Sequence, residues 1–367
     1  MKSAVYFCDL KGSMKRTFKS RFREMIQAAE LKRIIPKGGL VAIKIHFGEA
    51  GNTSYVRPVY ARWVVEMVKE AGGKPFLTDC NTLYVGSRGD TVSHLETALA
   101  NGFGYTAVAA PLVIADGLRG RTEKALPVDG RQVKEAYFGA ELLEADAIVS
   151  LAHFKAHELA GFGGALKNLG MGGASRRGKM VQHATVSPAI DENKCIGCGT
   201  CVEVCPQEAI SLDNDKASLD GAKCIGCGSC LLACPNQAID VDWSKDSRDS
   251  GAFQETMAEY TAALVKSKPG RLFCLNVLTQ LSPFCDCPPT SGAPIAPDIG
   301  FLASLDPVAL DQASYDLVNA QISFVENCPQ GADKFRALSP KVDPQVQLIH
   351  AEKMGAGSRE YKLETIP

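Results

Sequence analysis

Eight of the fourteen cysteines in this chain lie in two short runs that share the spacing C-x2-C-x2-C-x3-C-P. The segments that contain them, Lys194–Ile210 and Lys223–Ile239, are offset by 29 residues and identical at 11 of 17 positions. Three closely spaced thiolates can hold one iron–sulfur cube while the fourth reaches a second cube. The spacing therefore predicts two 4Fe-4S clusters. The expected ligands are Cys195, Cys198, Cys201 and Cys234 for the first cluster, and Cys224, Cys227, Cys230 and Cys205 for the second.

Zinc is the alternative metal for these cysteines, because paired C-x2-C motifs also bind it. A zinc site needs four ligands in two pairs, whereas each half of the repeat offers a triplet plus one. The repeat resembles bacterial two-cluster ferredoxins, which implies an inserted α+β module at residues 187–243. Residues 191–242 carry nine Asp or Glu and three Lys, a net charge of −6 that the rest of the chain has to balance. Few large apolar residues are present, so loss of iron should unfold the module.

Two further cysteines stand outside the repeat, in the sequence LSPFCDCPPT. Prolines bracket Cys285 and Cys287, and a C-x-C loop held open in this way can direct both sulfurs to one metal or cluster. The same loop can instead form a redox thiol pair, so an additional metal and a redox role are both open. The remaining cysteines are isolated and are expected to be small buried or surface thiols. They are Cys8, Cys80, Cys274 and Cys328.

Residues 153–179, HFKAHELAGFGGALKNLGMGGASRRGK, combine many glycines with five Lys or Arg and one Glu. They follow an apolar strand-like run, which is where α/β sheets bind ligands. We expect a small anionic ligand there, although the phosphate-loop motif G-x4-G-K-[ST] is absent. The residues expected to hold it are Lys155, Lys167, Asn168, Gly163 and Gly164. A flexible basic linker is the alternative, but the interleaved apolar residues favour an ordered loop.

His153 and His157 lie four residues apart, a spacing that places both on one face of a helix. Neither H-E-x-x-H nor its inverted form is present, so histidines without a metal are the favoured interpretation. Such histidines can still act as general acids or bases, since imidazole titrates near neutrality. Lys155 lies between them and is a further catalytic candidate.

Three more polar residues close or follow strand-like runs, at the carboxyl ends where α/β sites gather. They are His46, within KIHFGEAGN, Asp79 and Asp116, and we consider all three as catalytic residues. Helix capping is the competing role for the two aspartates. His183 and Asp298 are weaker candidates, whereas His94 and His350, in helical patterns, are predicted to lie on the surface.

The elements that must position these residues alternate between strand-like and helical patterns. Strand-like runs include Leu40–His46 and Ala147–Ala152, and helical ones include Phe22–Ile35 and Arg57–Ala71. This alternation predicts an α/β body with a parallel sheet, formed by residues 1–186 and 244–367 around the inserted module. The chain has 367 residues, 46% hydrophobic and 22% charged, as in ordinary globular proteins.

A net charge of −1 gives no electrostatic argument for binding nucleic acid or an anionic membrane surface. No signal-peptide pattern and no membrane-spanning stretch are visible, so we expect a cytoplasmic protein. No G-x-G-x-x-G fingerprint follows a strand, so no flavin is predicted.

Outside the repeat, the chain resembles a known family. The sequences IKIHFGE, DCNTLYVGSRGDTVSH, IADGL, the segment 153–179 and the C-x-C loop carry this resemblance, and GFGGALKNLGMG is its most specific part. They are similar to the family called domain of unknown function 362, in particular to its branch with an inserted ferredoxin module. The resemblance implies an iron–sulfur protein and names no reaction.

Three functions follow from these features. The first is a low-potential oxidoreductase, in which electrons pass through two clusters to a small anionic substrate or cofactor on the α/β body. The second is a non-catalytic electron carrier whose body docks a partner such as a ferredoxin, flavoprotein or reductase. The third is metal or cluster handling, with a labile iron held by Cys285 and Cys287.

Overall fold

The computed structural model describes residues 2–84, 86–183, 188–224, 228–241 and 250–367. Its strands are β1 Ser3–Asp9, β2 Leu40–Lys44, β3 Lys74–Asp79, β4 Leu112–Ile114, β5 Glu123–Pro127, β6 Glu135–Gly139, β7 Ala147–His153, β8 Lys155–His157, β9 Gly161–Gly163, β10 Pro188–Ile190, β11 Ile210–Asp213, β12 Lys216–Leu219, β13 Ile239–Val241, β14 Leu272–Leu278, β15 Gly300–Ser304 and β16 Tyr361–Thr365. Its helices are α1 Phe18–Ala28, α2 Leu31–Ile34, α3 Pro58–Glu70, α4 Thr91–Ala100, α5 Tyr105–Val108, α6 Ala140–Glu144, α7 Ala165–Gly170, α8 Arg176–Gln182, α9 Thr200–Glu203, α10 Ser229–Ala233, α11 Ser250–Ser267, α12 Pro307–Ala320, α13 Lys334–Leu338 and α14 Val346–Lys353.

An eight-stranded sheet in the order β16-β1-β15-β14-β7-β2-β3-β4 forms the centre of the body. Every neighbouring pair is parallel except the two that involve β15, which runs antiparallel to β1 and β14. The carboxyl ends of β2, β3, β7 and β14 therefore meet at one edge of the sheet. The predicted α/β fold with a mostly parallel sheet is confirmed.

Both faces of the sheet are covered, as strands of a parallel sheet require. Along β7, Ile148 packs into the core beneath α11 and α12, whereas Val149 and Leu151 pack into the core beneath α1 and α3. All seven residues of β7 and all seven of β14 are buried. This two-sided burial holds the central strands rigidly, so the loops at their carboxyl ends are anchored on fixed supports.

The cysteine repeat forms a small unit with two antiparallel sheets of two strands each, β10 with β13 and β11 with β12. Helices α9 and α10 belong to the same unit. Its core includes two side chains of the body, Leu83 and Met180, packed with Cys230 and Leu231. The expected boundary residues, Ser187 and Trp243, lie outside the described residues, so the division into 1–186, 187–243 and 244–367 stays a prediction. The predicted ligand Cys227 also lies outside them.

Two local expectations are wrong. The helical pattern Phe22–Ile35 forms two helices, because Glu30 adopts a left-handed conformation with φ 62° that ends α1 and starts α2. His94 and His350 are buried instead of exposed, since each meets a buried carboxylate, Asp79 at 3.7 Å and Glu259 at 3.0 Å respectively. Among the described residues, no helix has the length and apolar character to span a bilayer.

Candidate functional site

A cavity of about 390 Å³ lies at the carboxyl edge of the sheet, between the body and the cysteine repeat. Residues from β2, β3 and β7, the segment after β7 and the loop after β14 line it, together with Asp240 of β13. Five Lys or Arg and three Asp or Glu face this space. The predicted site residues that line it are His46, Asp79, His153, Lys155, His157, Lys167, Asn168, Cys285 and Cys287.

The two sulfurs of the C-x-C loop lie side by side in this cavity. Cys285 Sγ and Cys287 Sγ are 3.3 Å apart, and Lys167 Nζ lies 3.5 Å from the sulfur of Cys285. The hydrogen-bonded contact between the two sulfurs lowers the pKa of Cys285 well below its usual value, and Lys167 and His157 act in the same direction. The same contact raises the pKa of Cys287. These contacts therefore favour the thiolate form at Cys285 over the thiolate form at Cys287.

Two histidines face these sulfurs, and each is oriented by backbone amides. His46 Nδ1 accepts a hydrogen bond from Gly48 N at 3.0 Å, and His157 Nδ1 accepts from the amides of Leu159 and Ala160 at 3.1 Å. In a neutral imidazole with Nδ1 as acceptor, the proton is on Nε2. Nε2 of His46 lies 3.5 Å from Cys287 Sγ, and His157 donates to Cys285. Both histidines are therefore hydrogen-bond donors to sulfur.

This arrangement is poorly suited to a metal ion. A histidine that binds metal through Nε2 needs its proton on Nδ1, donated to an acceptor. Here Nδ1 of both His46 and His157 meets amide N–H donors. Within the described part of the chain, no three His, Cys, Asp or Glu side chains converge as a single metal ion would require. The donor set thus does not fit an additional metal at Cys285 and Cys287.

Asp286, between the two cysteines, anchors the loop to the sheet. Its carboxylate is 2.7 Å from His153 Nδ1 and 3.0 Å from Lys155 Nζ, and it is fully buried. Although burial opposes it, the charges of His153 and Lys155 hold the pKa of Asp286 below its usual value. His153 Nε2 meets the carbonyl of Thr279 at 2.9 Å, so both ring nitrogens donate to acceptors. The structure therefore gives His153 an orienting role.

Lys44 was not among the predicted site residues, although it interrupts an apolar strand-like run. Its Nζ lies 2.9 Å from Asp79 Oδ1 and 3.0 Å from Asn168 Oδ1, and its side chain is almost fully buried. Asn168 also donates to the carbonyl of Lys44 and to Ser150 Oγ, each at 2.9 Å. Asn168 thus fastens α7 to β2 and β7, and both N–H groups of its amide are already used.

Arg88 and Tyr84 are further cavity residues that the sequence did not reveal. Arg88 lies 3.2 Å from Glu49 and 3.5 Å from Asp79, and it also donates to the Tyr84 hydroxyl. Tyr84 in turn donates to the backbone carbonyl of Cys287 at 3.2 Å. This chain of contacts joins the loop after β3 to the C-x-C loop, so the two sulfurs are held from both sides.

Three predicted site residues do not line the cavity. Asp116 accepts hydrogen bonds from the backbone and side chain of Asn81, and burial raises its pKa to about 6. Gly163 packs against the aliphatic stems of Lys167 and Lys155. Gly164 allows Asp311 to accept from the first amides of α7, at 2.8 and 2.9 Å. Their surroundings indicate structural roles.

Gly164 and Gly163 offer a matched test of this interpretation. A Cβ at Gly164 would lie 2.4 Å from Asp311 Oδ1, and Asp311 is fixed by two amides and by Asn276. We expect Gly164→Ala to lower the free energy of unfolding by about 2 kcal/mol, the scale of overpacking in a core. In Gly163→Ala the closest atom is the flexible Lys167 Cδ at 3.1 Å, and we expect a smaller loss. Urea unfolding compares them, and equal losses would contradict the assignment.

The cysteine runs surround two small cavities. One, of about 20 Å³, is lined by all four cysteines expected for the first cluster. The other is lined by Cys205, Cys224 and Cys230, the described members of the second set. Equivalent amides of the two halves, Ala209 N and Ala238 N, donate to Cys205 and Cys234 sulfur at 3.2 and 3.1 Å. Four cysteines around one space, with backbone N–H groups directed at their sulfurs, fit a 4Fe-4S cluster. Each iron of such a cluster takes one thiolate.

The fold and site together define an α/β protein with a ferredoxin-like cysteine repeat beside a basic, thiol-lined cavity. The chain belongs to the family Domain of unknown function (DUF362), whose model matches residues 41–316. This confirms the predicted resemblance. The repeat is similar to Ferredoxin-2 of Desulfomicrobium norvegicum, with 58% identity over 31 residues, which is 8% of this chain and 52% of that ferredoxin. The ferredoxin match and the cysteine content together indicate an iron–sulfur protein.

A solved structure is also similar to this chain. The lactate racemase apoprotein from Thermoanaerobacterium thermosaccharolyticum is 14% identical, with a TM-score of 0.36. The match covers 76% of this chain and 51% of the racemase. The chain thus spans about half the length of this racemase and of the ferredoxin.

Proposed function

We propose that this protein is a low-potential iron–sulfur oxidoreductase that reduces a small anionic substrate in the cavity of the α/β body. The eight cysteines of the repeat would hold two 4Fe-4S clusters. When bound, the clusters would supply single electrons at low potential. The thiolate and histidine side chains of the cavity would accept and donate the accompanying protons at sulfur and at imidazole nitrogen.

One observation carries the proposal. Leu83 lines the cavity and also packs in the core of the repeat, beside Cys230 and Leu231. Arg176 of the body lies against the same part of the repeat, because a Cβ at Gly228 would touch both Leu83 and Arg176. One side chain, that of Leu83, thus lies between the second cysteine set and the cavity. Such close contact favours electron delivery into the cavity over a body that only docks a partner.

The charge of the cavity supports an anionic substrate. Lys44 pairs with Asp79, and Lys155 pairs with Asp286, so these two cations are largely neutralised. The cavity wall still carries five Lys or Arg against three Asp or Glu, and Lys167, beside the Cys285 sulfur, is partly exposed. An excess of cationic groups on the wall of a cavity attracts anions of matching size.

Reoxidation of the reduced protein tests the proposal. Protein of measured iron and sulfide content is reduced in the absence of oxygen, and the excess reductant is removed. It is then mixed separately with the anionic and the neutral member of pairs of electron acceptors that have similar potentials. We expect the visible absorbance of the clusters to return faster with the anionic member of at least one pair, by about tenfold. That preference should disappear in Lys167→Ala protein with unchanged iron content. Equal rates for both members of every pair would contradict the proposal.

A further inference from the structure

We propose that Cys285 and Cys287 form a dithiol–disulfide centre in the cavity, which exchanges with a small anionic disulfide. The thiol chemistry stands on the geometry of the loop, whereas the source of electrons for the pair rests on the proposed function. The two thiols therefore become part of the reaction site instead of ligands for a further metal.

The loop already brings the sulfurs close to bonding distance. They lie 3.3 Å apart, against about 2.05 Å in a disulfide, so a small rotation of one side chain would join them. Asp286 is fixed by His153 and Lys155, and the carbonyl of Cys287 is held by Tyr84. These contacts fix the backbone of the loop while both sulfurs remain at the cavity.

The surroundings divide the roles of the two sulfurs. Cys285 is only 2% exposed and meets Lys167 and His157, which stabilise it as a thiolate and as a leaving group. Cys287 is partly exposed and is the sulfur that a substrate reaches first. Of two exchanging sulfurs, the one with the lower pKa is the better leaving group, and a thiol attacks only as its thiolate. The difference in exposure therefore makes Cys287 the attacking sulfur and Cys285 the resolving one, and Cys287 passes its proton to the Cys285 sulfur 3.3 Å away as it attacks.

The exchange balances in atoms and electrons. Cys287 attacks a substrate disulfide R–S–S–R′ as its proton passes to Cys285, and R′–S⁻ leaves. Cys285 gives this proton to R′–S⁻ and then attacks Cys287 sulfur, which releases R–S⁻ and forms the Cys285–Cys287 bond. Two electrons, which reduced clusters in the repeat would supply one at a time, and one proton from solvent would break that bond. They restore the Cys285 thiolate and the Cys287 thiol.

The cavity limits the substrate to a small anionic molecule. Its volume of about 390 Å³ is within the range of small-ligand sites. Lys167 and Lys179 supply positive charge on its wall, and Leu159, Met171 and Phe253 supply apolar surface. A disulfide with carboxylates and a short carbon skeleton matches both properties, whereas a folded protein could not enter.

Stoichiometric reaction with dithiobis-nitrobenzoate, an aromatic disulfide with two carboxylates, tests the centre in cluster-loaded protein without oxygen. The native chain is expected to release two nitrothiobenzoate ions from this site and to end with a Cys285–Cys287 disulfide, detected by peptide mass. Cys285→Ser is expected to release one ion and to keep the adduct on Cys287, since no resolving thiol remains. Cys287→Ser is expected to release nitrothiobenzoate from this site at least about tenfold more slowly than the native chain.

Matched controls keep the result interpretable. Cys328→Ser removes an isolated buried thiol and is expected to behave as the native chain. Lys167→Ala is expected to slow the dianionic probe more than neutral dithiodipyridine. Stable adducts on both cysteines of the native chain, or an unchanged rate in Cys287→Ser, would overturn the proposal. If the disulfide forms but a reduced viologen does not reopen it in cluster-loaded protein, the centre stands and the proposed electron delivery fails.

Discussion

Cys201→Ser protein is expected to lose about half of its iron and the folded structure of the cysteine repeat, while the α/β body stays folded. Cys201 is a buried member of the first cysteine set and lines the cavity that this set surrounds. The buried core of the repeat has few large side chains: Leu83, Met180, Ile210, Leu231 and Ile239. Where so little apolar surface is buried, ligation supplies much of the folding free energy.

Limited proteolysis and iron analysis measure this outcome. Trypsin should cut the variant at three lysines of the repeat, Lys194, Lys216 and Lys223. Cleavage should be at least about tenfold faster than in the native protein, because loss of the ligand exposes the unfolded chain. Cys328→Ser, which removes a buried thiol of the body, is the matched control and should keep its iron. A variant that loses iron and stays resistant at these three lysines would show that ligation does not stabilise the repeat.

Asp286→Ala is expected to lower the free energy of unfolding of the body by about 3–5 kcal/mol, the cost of leaving buried charge unpaired. The carboxylate is completely buried and meets both His153 and Lys155. Its removal leaves Lys155, a residue 6% exposed, without its counter-charge. The same change frees the C-x-C loop, so the reaction of Cys285 and Cys287 with disulfides should also become slower.

Denaturant unfolding of a double-mutant cycle tests this assignment. Lys155→Met in the Asp286→Ala background should cost much less than Lys155→Met alone, because the two residues form one ion pair. The pKa of Asp286 in the folded chain is below its ordinary value of 3.8. Its contribution to stability is therefore complete above pH 3.8 and is lost as the pH falls below 3.8 towards the folded-state pKa. The difference between the variant and the native chain should therefore be at least as large at pH 5 as at pH 7. Additive losses, or a difference that shrinks between pH 7 and pH 5, would contradict the ion-pair assignment.

The main elements could be predicted from local patterns because their hydrophobic periodicity coincides with the final burial. The strand-like run Ala147–Ala152 coincides with β7, and the helical pattern Arg57–Ala71 coincides with α3 to within one residue at each end. Helix α2 could not be separated from α1 in this way, since the break depends on one left-handed residue, Glu30. The burial of His94 and His350 depends on Asp79 and Glu259, which come from other elements.

The sequence by itself determined the cysteine repeat, the parallel α/β body and the basic segment after β7, because each follows from spacing or from local periodicity. Only the tertiary structure decided which of the candidate residues meet. It placed Cys287 beside His46, some 240 positions away, and Asp286 beside His153 and Lys155. It also gave Asp116, Gly163 and Gly164 structural surroundings outside the cavity. The reason is physical: pairing and burial depend on long-range packing, which the spacing of residues along a chain does not encode.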